Sequence, residues 1–145
     1  PGPPRSRRGA VRSGRMSDGP PPLPRLLAID DEPTMCQIFS RALRSIARVT
    51  TAGTVAEAEA LLDRDAFDAI ICDVNMPAGG GPAVRAHIQR LQPALLERTL
   101  YVTGGVTTDD KIAFVETIRD RLLEKPFTML ELQDAVRALT RPPAA

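Results

Sequence analysis

The sequence predicts an α/β fold in which helices cover both faces of a five-stranded parallel sheet. Three observations predict it. Short apolar runs such as Arg25–Ile29 and Ala69–Cys72 alternate with longer stretches whose apolar residues recur every three or four positions. Those are the periods of a buried strand and of an amphipathic helix. The alternation repeats five times between Arg25 and Leu139, which is how βα units feed a parallel sheet covered on both sides. Helix-starting residues also fall at the junctions, among them two S/T-x-x-E capping boxes and prolines placed for a first helical turn.

The elements follow in order. Arg25–Ile29 is the first strand. Pro33 opens a helix whose apolar stripe is Met35, Ile38, Phe39, Ala42, Leu43 and Ile46. Arg48–Thr51 is a short second strand. Thr54-Val-Ala-Glu57 caps a second helix that runs to about Leu62. Ala69–Cys72 is a fully apolar third strand. Pro82 starts the third helix, with Val84, Ile88 and Leu91 on one face and Pro93 beyond its end. Thr99–Val102 is the fourth strand. Thr108 and two Asp open a fourth helix carrying Ile112, Val115 and Ile118. Leu122–Glu124 is the fifth strand. Thr128-Met-Leu-Glu131 caps a fifth helix with Leu132, Ala135, Val136 and Leu139 as its buried stripe.

Length and charge narrow the options. A chain of 145 residues with 43% hydrophobic content supports one domain with a real core. No apolar run reaches the ~18 residues of a membrane span, so no membrane insertion is expected, and no signal peptide opens the chain. Residues 1–24 carry Arg5, Arg7, Arg8, Arg12 and Arg15 against Asp18, with half of the 14 prolines. That segment reads as a flexible linker or tail, residues 25–140 as the folded domain, and 141–145 as a C-terminal tail. Met16 is a candidate translation start. The folded part is net negative and has one Tyr and no Trp, which argues against direct nucleic-acid binding. Cys36 and Cys72 both lie in core-like segments and read as reduced, buried thiols of a cytoplasmic protein.

Asp31, Asp73, Thr103 and Lys125 each follow an apolar run directly or nearly so. In an open α/β sheet the C-terminal strand ends converge on one edge, where ligands bind. Two carboxylates, a hydroxyl and an ammonium in one crevice can hold a divalent cation and a phosphoryl group. Gly79–Gly81 lacks the pattern of a phosphate-cradling loop. The sole histidine, His87, reads as an ordinary surface residue, and Cys72 as core packing.

I-D-D-E-P at 29–33, D-V-N-M-P-A-G-G-G at 73–81, Y-V-T-G-G at 101–105 and E-K-P-F at 124–127 together resemble the receiver domain of two-component response regulators and hybrid histidine kinases. The resemblance covers residues 25–140. It implies a flavodoxin-like doubly wound (βα)5 fold with strand order 2-1-3-4-5. It implies that Asp73 is the phosphoacceptor, taking a phosphoryl group from the phosphohistidine of a histidine kinase or phosphotransfer protein. Mg²⁺ is the implied cofactor. Asp31 and Asp73 ligate it directly, the backbone carbonyl of Asn75 supplies a third oxygen, and Asp30 acts through water. Lys125 pairs with Asp73 and then with phosphoryl oxygen, and the peptide bond to Pro126 is cis. Thr103 is the switch hydroxyl. Gly81 matches the turn glycine before the third helix.

The implied output is a downstream protein target contacted through the fourth helix, fifth strand and fifth helix; a homodimer is also open. The chain then catalyses only its own phosphorylation and dephosphorylation. With six residues after Leu139 and no helix-turn-helix pattern, it reads as a single-domain regulator or as the C-terminal receiver of a hybrid kinase. One departure stands out. Leu122 occupies the position where the family often has an aromatic, so coupling of Thr103 to the output face takes an unusual form, with Gly104 and Gly105 loosening the next loop. A pseudo-receiver that binds partners without phosphorylation is the alternative. A metal-dependent phosphatase with an Asp nucleophile would want a second acid where Asn75 stands.

Overall fold

The structure is a computed structural model that describes residues 22–105 and 109–141. Five strands form one parallel sheet: β1 (Arg25–Ile29), β2 (Arg48–Ala52), β3 (Ala69–Asp73), β4 (Thr99–Thr103) and β5 (Leu122–Glu124). Their order is β2-β1-β3-β4-β5, as the resemblance implied. The helices are α1 (Pro33–Leu43), α2 (Val55–Arg64), α3 (Gly80–Leu91), α4 (Asp109–Thr117) and α5 (Met129–Thr140).

Side chains on a strand alternate between faces, and here the alternation builds two cores. Leu26, Ala28, Ile71, Leu100 and Val102 point to one face, where Phe39 and Leu43 of α1 and Leu132 and Val136 of α5 cover them. Leu27, Ile29, Ile70, Cys72 and Tyr101 point to the other, under Val55 and Leu62 of α2 and Val84 and Ile88 of α3. Each fully buried Leu or Ile stabilises the fold by roughly 1.5–3 kcal/mol. All five residues of β3 and of β4 are buried, so the central strands are covered on both faces rather than alternating between core and solvent.

Of the two predicted capping boxes, Thr128–Glu131 forms in full, whereas Thr54–Glu57 forms only its hydroxyl half, because the Glu57 carboxylate accepts from the Gly53 amide instead. The Thr54 hydroxyl accepts from the Glu57 amide and the Thr128 hydroxyl from the Glu131 amide, while the Glu131 carboxylate accepts from the Thr128 amide. Pro33 stands in the first turn of α1.

Some expectations are corrected. Ile38, Leu91 and Ile112 fit the helical period, yet they are 41%, 46% and 48% exposed. A helical period sets the angular spacing of a stripe and not how much of it the neighbouring elements cover. Cys36 is half-buried rather than buried, and Cys72 is buried; both are free thiols. The third helix begins at Gly80, two residues before Pro82, behind a 3-10 turn at Pro77–Gly79. The second helix continues to Arg64 rather than ending near Leu62. Thr108, most of the 1–24 segment and most of the 141–145 tail lie outside the described residues. Among those that are described, no helix is long and apolar enough to cross a membrane.

Candidate functional site

Strand register builds the site. Ile29 is level with Cys72, Asp73 with Val102, and Thr103 with Glu124. One step beyond β1 and β5, and at the last residues of β3 and β4, the chain therefore delivers Asp30, Lys125, Asp73 and Thr103 to one edge of the sheet. The four sequence-predicted residues and their neighbours do come together there.

Asp30, Asp31 and Asp73 each offer a carboxylate oxygen within 4.8 Å of the others. Asp30 is fully buried and Asp73 is 5% exposed, while Asp31 faces solvent. Backbone amides partly satisfy the buried pair. Asp30 Oδ1 accepts from the Glu32 amide at 2.9 Å, and Asp73 Oδ1 from the Asn75 amide at 3.2 Å.

Lys125 supplies the positive charge. Its Nζ lies 3.4 Å from Asp30 Oδ2 and 3.9 Å from both Asp73 Oδ2 and Glu32 Oε1. The expected partner was Asp73; the nearest is Asp30, the most deeply buried of the three carboxylates. The Lys125–Pro126 peptide bond is cis. One ammonium shared among three carboxylates does not neutralise them. Burial first, and then the Asp30 charge, push the Asp73 carboxyl up from 3.8 to about 6, with Lys125 and the Asn75 amide pulling the other way. An acidic pocket of this kind attracts a cation, and its all-oxygen donor set suits a small hard ion such as Mg²⁺ better than a soft one.

The loop after β3 is fixed by glycines. A Cβ on Gly80, at φ +54°, would overlap the Val74 carbonyl oxygen. One on Gly81 would press on Phe114 and on the Val74 backbone at 3.1 Å. The Gly81 amide donates to the Val74 carbonyl. Gly80 and Gly81 thus let the backbone fold tightly against the chain leaving β3.

Thr103 is 3% exposed and its hydroxyl is engaged three ways. It donates to the Gly105 carbonyl and accepts from the Gly105 amide, both at 3.1 Å, and it accepts from the Asn75 side-chain amide at 3.2 Å. The same Asn75 amide donates to the Gly105 carbonyl. Sequence reasoning gave Asn75 a role only through its backbone carbonyl. No local signal marks the side-chain role, because its partners lie 28 and 30 positions away. At the aromatic-poor position, Leu122 is half-buried and level with Tyr101. Tyr101 is buried and meets the Phe114 ring edge-on at 5.2 Å between centroids.

His87 is no part of this edge. It lies on α3, with its Nε2 2.8 Å from Asp63 Oδ1 of α2, and ties the two helices together.

Comparison with known proteins agrees with this geometry. The response regulator receiver domain family matches residues 26–137. The transcriptional regulatory protein TcrA of Mycobacterium tuberculosis is 36% identical over 120 residues, 81% of this chain and 46% of that protein. The probable transcriptional regulatory protein TcrX of the same organism is 33% identical over 128 residues, 88% of this chain and 53% of that protein. The chain thus spans about half the length of the curated relatives it matches. Among solved structures, the chemotaxis protein CheY4 of Vibrio cholerae superposes with TM-score 0.67 at 30% identity, covering 81% of this chain and 99% of that one. A CheY-like receiver domain protein from Methanospirillum hungatei superposes at TM-score 0.71 and 21% identity, over 81% of this chain and 93% of that one, a likeness of fold.

Proposed function

Because the chain belongs to the response regulator receiver family and is a two-component receiver domain, we propose that Asp73 is its phosphoacceptor and that the crevice around it is the phosphotransfer site. One observation carries the reading: three carboxylates within 4.8 Å of one another beside a lysine that none of them holds alone. A purely structural cluster would not keep this unbalanced charge at an open strand edge, because buried charges without full pairing are costly.

The chemistry follows from the residues. An oxygen of the ionised Asp73 carboxylate attacks the phosphorus of a donor phosphohistidine. The new P–O bond forms as the P–N bond breaks, and the imidazole nitrogen leaves with the electron pair. Asp31 and Asp73, the Asn75 backbone carbonyl and, through water, Asp30 are the groups that would hold Mg²⁺, which when bound offsets charge on the phosphoryl oxygens. Lys125 stabilises the same charge from the β5 side. The Thr103 hydroxyl leaves its loop partners to donate to a phosphoryl oxygen, which biases the loop after β4 and the α4–β5–α5 face.

A donor must bring its histidine to this edge. Apolar groups of Met35, Ile38, Pro126 and Phe127 line a groove beside Lys125, and Ile38 is exposed there. Receiver domains take their phosphoryl groups from histidine kinases or phosphotransfer proteins, and this groove is the surface proposed for such a partner. The relatives are named as transcriptional regulators; for this chain the proposed output is a protein contact through α4–β5–α5. Transfer from a kinase and two free thiols fit a cytoplasmic setting.

Intact-mass spectrometry after incubation with acetyl phosphate tests the reading. A single phosphoryl mass gain that requires Mg²⁺ and is absent in Asp73→Asn is the expected result. No gain, or the same gain in the variant, overturns it.

A further inference from the structure

We propose that the Asn75 side chain is a latch that holds the Thr103 hydroxyl away from the phosphoacceptor until transfer occurs. The proposal rests on the reading of Asp73 and Thr103 above and adds a side chain that this reading does not use. A hydroxyl has one proton and two lone pairs. In this structure the Thr103 proton goes to the Gly105 carbonyl, and the lone pairs take the Gly105 amide and the Asn75 amide. Nothing is left to donate to a phosphoryl oxygen. Thr103 is free to act only after it rotates out of this network, and the Asn75 amide is the one member that comes from a different loop.

The position of Asn75 makes it more than a spectator. Its side-chain amide also donates to the Gly105 carbonyl, so one residue of the β3 loop pins the β4 loop at two atoms. Its backbone amide donates to Asp73 Oδ1 at 3.2 Å. A phosphoryl group arriving on Asp73 therefore disturbs a residue whose other end holds Thr103. Asn75 is half-buried, so its side chain can turn to water without opening the core. Asn75 is thus a positioning residue that sets how large a fraction of unmodified chains has Thr103 released.

Two readouts test this, and the first needs no phosphorylation. In ¹⁵N spectra of the unmodified chain, the Gly104 and Gly105 amides should move in Asn75→Ala toward their positions in chain loaded with beryllofluoride. Asn75→Asp is nearly isosteric and cannot donate, so it should move them in the same direction. The second readout is the Mg²⁺-dependent rate with acetyl phosphate. One or two side-chain hydrogen bonds correspond to roughly a three- to tenfold change in population, so Asn75→Ala should be phosphorylated faster by about that factor. In a Thr103→Ala background the same substitution should leave the rate unchanged, because the latch has nothing to hold. Amides that stay at wild-type positions in both variants overturn the latch, and so does an equal rate effect in both backgrounds. If Asp73 takes no phosphoryl group at all, the proposed function fails, while the amide positions still decide whether Asn75 holds the β4 loop.

Discussion

The loops after β3 and β4 leave the same sheet edge and are held in different ways. The first is fixed by exclusion. Val74 and Met76 are buried, and Gly79 and Gly80 adopt positive φ. Gly80 has no room for a side chain against the Val74 carbonyl, and Gly81 has little against Phe114. The described part of the second loop, Thr103–Gly105, is held by polar contacts alone. Gly104 and Gly105 are exposed, and a Cβ on Gly105 would meet nothing within 4 Å among the described residues. Close packing is bistable or rigid, whereas a few hydrogen bonds can be exchanged at small cost. The roles proposed for Asp73 and Thr103, a nucleophile held still and a hydroxyl that moves, call for this contrast.

Gly80→Ala should break the rigid side of the comparison and give the largest effect. An L side chain at φ +54° costs about 1–2 kcal/mol, and the overlap with the Val74 carbonyl adds to it. A loss of roughly 3–4 kcal/mol is expected in urea unfolding. A loss under about 1 kcal/mol would mean that the β3 loop yields easily and that the contrast is false.

Asp73→Asn sharpens the electrostatic side. Folding raises the Asp73 carboxyl from 3.8 to about 6, so the fold disfavours its charged form. That penalty is absent below pH 3.8, grows as pH rises and is complete above about 6. The metal-free chain should therefore lose stability as pH rises through this window. The variant lacks the titrating group and should gain roughly 1–3 kcal/mol over wild type at pH 8 and nothing at pH 3.5. A difference that does not change with pH would show that Asp73 titrates normally in the fold.

How far the sequence carries the reader depends on whether a signal is local. Asp30, Asp31, Asp73, Thr103 and Lys125 are legible because each stands at the end of an apolar run, and the fold brings strand ends together. The two threonine helix caps are legible for the same reason, since their partners are three residues apart. Ile38 and Leu91 mislead because a helical period gives the angular spacing of a stripe but not how far the neighbouring sheet extends beneath it. The nearest partner of Lys125 could not be read either, because the relative depth of Asp30 and Asp73 is a property of the assembled edge. Pro82 is a local helix signal and points two residues too late, whereas the turn into α3 is set by the close fit of Gly80 and Gly81 against the Val74 backbone.

Gly105→Ala probes the side held by polar contacts and should have a small effect. The φ of +147° disfavours an L residue, but the added methyl meets no described atom. A cost of about 1 kcal/mol is expected, well below that of Gly80→Ala. Equal losses for the two alanine variants, measured in the same urea series, would erase the distinction between the loops.

Tyr101→Phe should have the smallest effect, and its sign is informative. Tyr101 lies on β4, two residues before Thr103 and level with Leu122. Its hydroxyl is buried and has no hydrogen-bond partner among the described residues. Burial pushes its ionisation well above the ordinary range, so the group stays neutral at any working pH. A buried hydroxyl without a partner costs roughly 1–3 kcal/mol in lost hydration. Removing the oxygen recovers that cost, keeps the edge-on contact with Phe114 and leaves a void smaller than a methyl group, which takes part of the gain back. The net expectation is a stabilisation of about 0.5–1 kcal/mol in urea. A loss of about 1 kcal/mol or more would mean that the hydroxyl is satisfied, by ordered water or by a contact made as the chain moves. The β4 side would then be as firmly held as the β3 side, and the freedom assigned to Thr103 would have to come from release of the Asn75 amide alone.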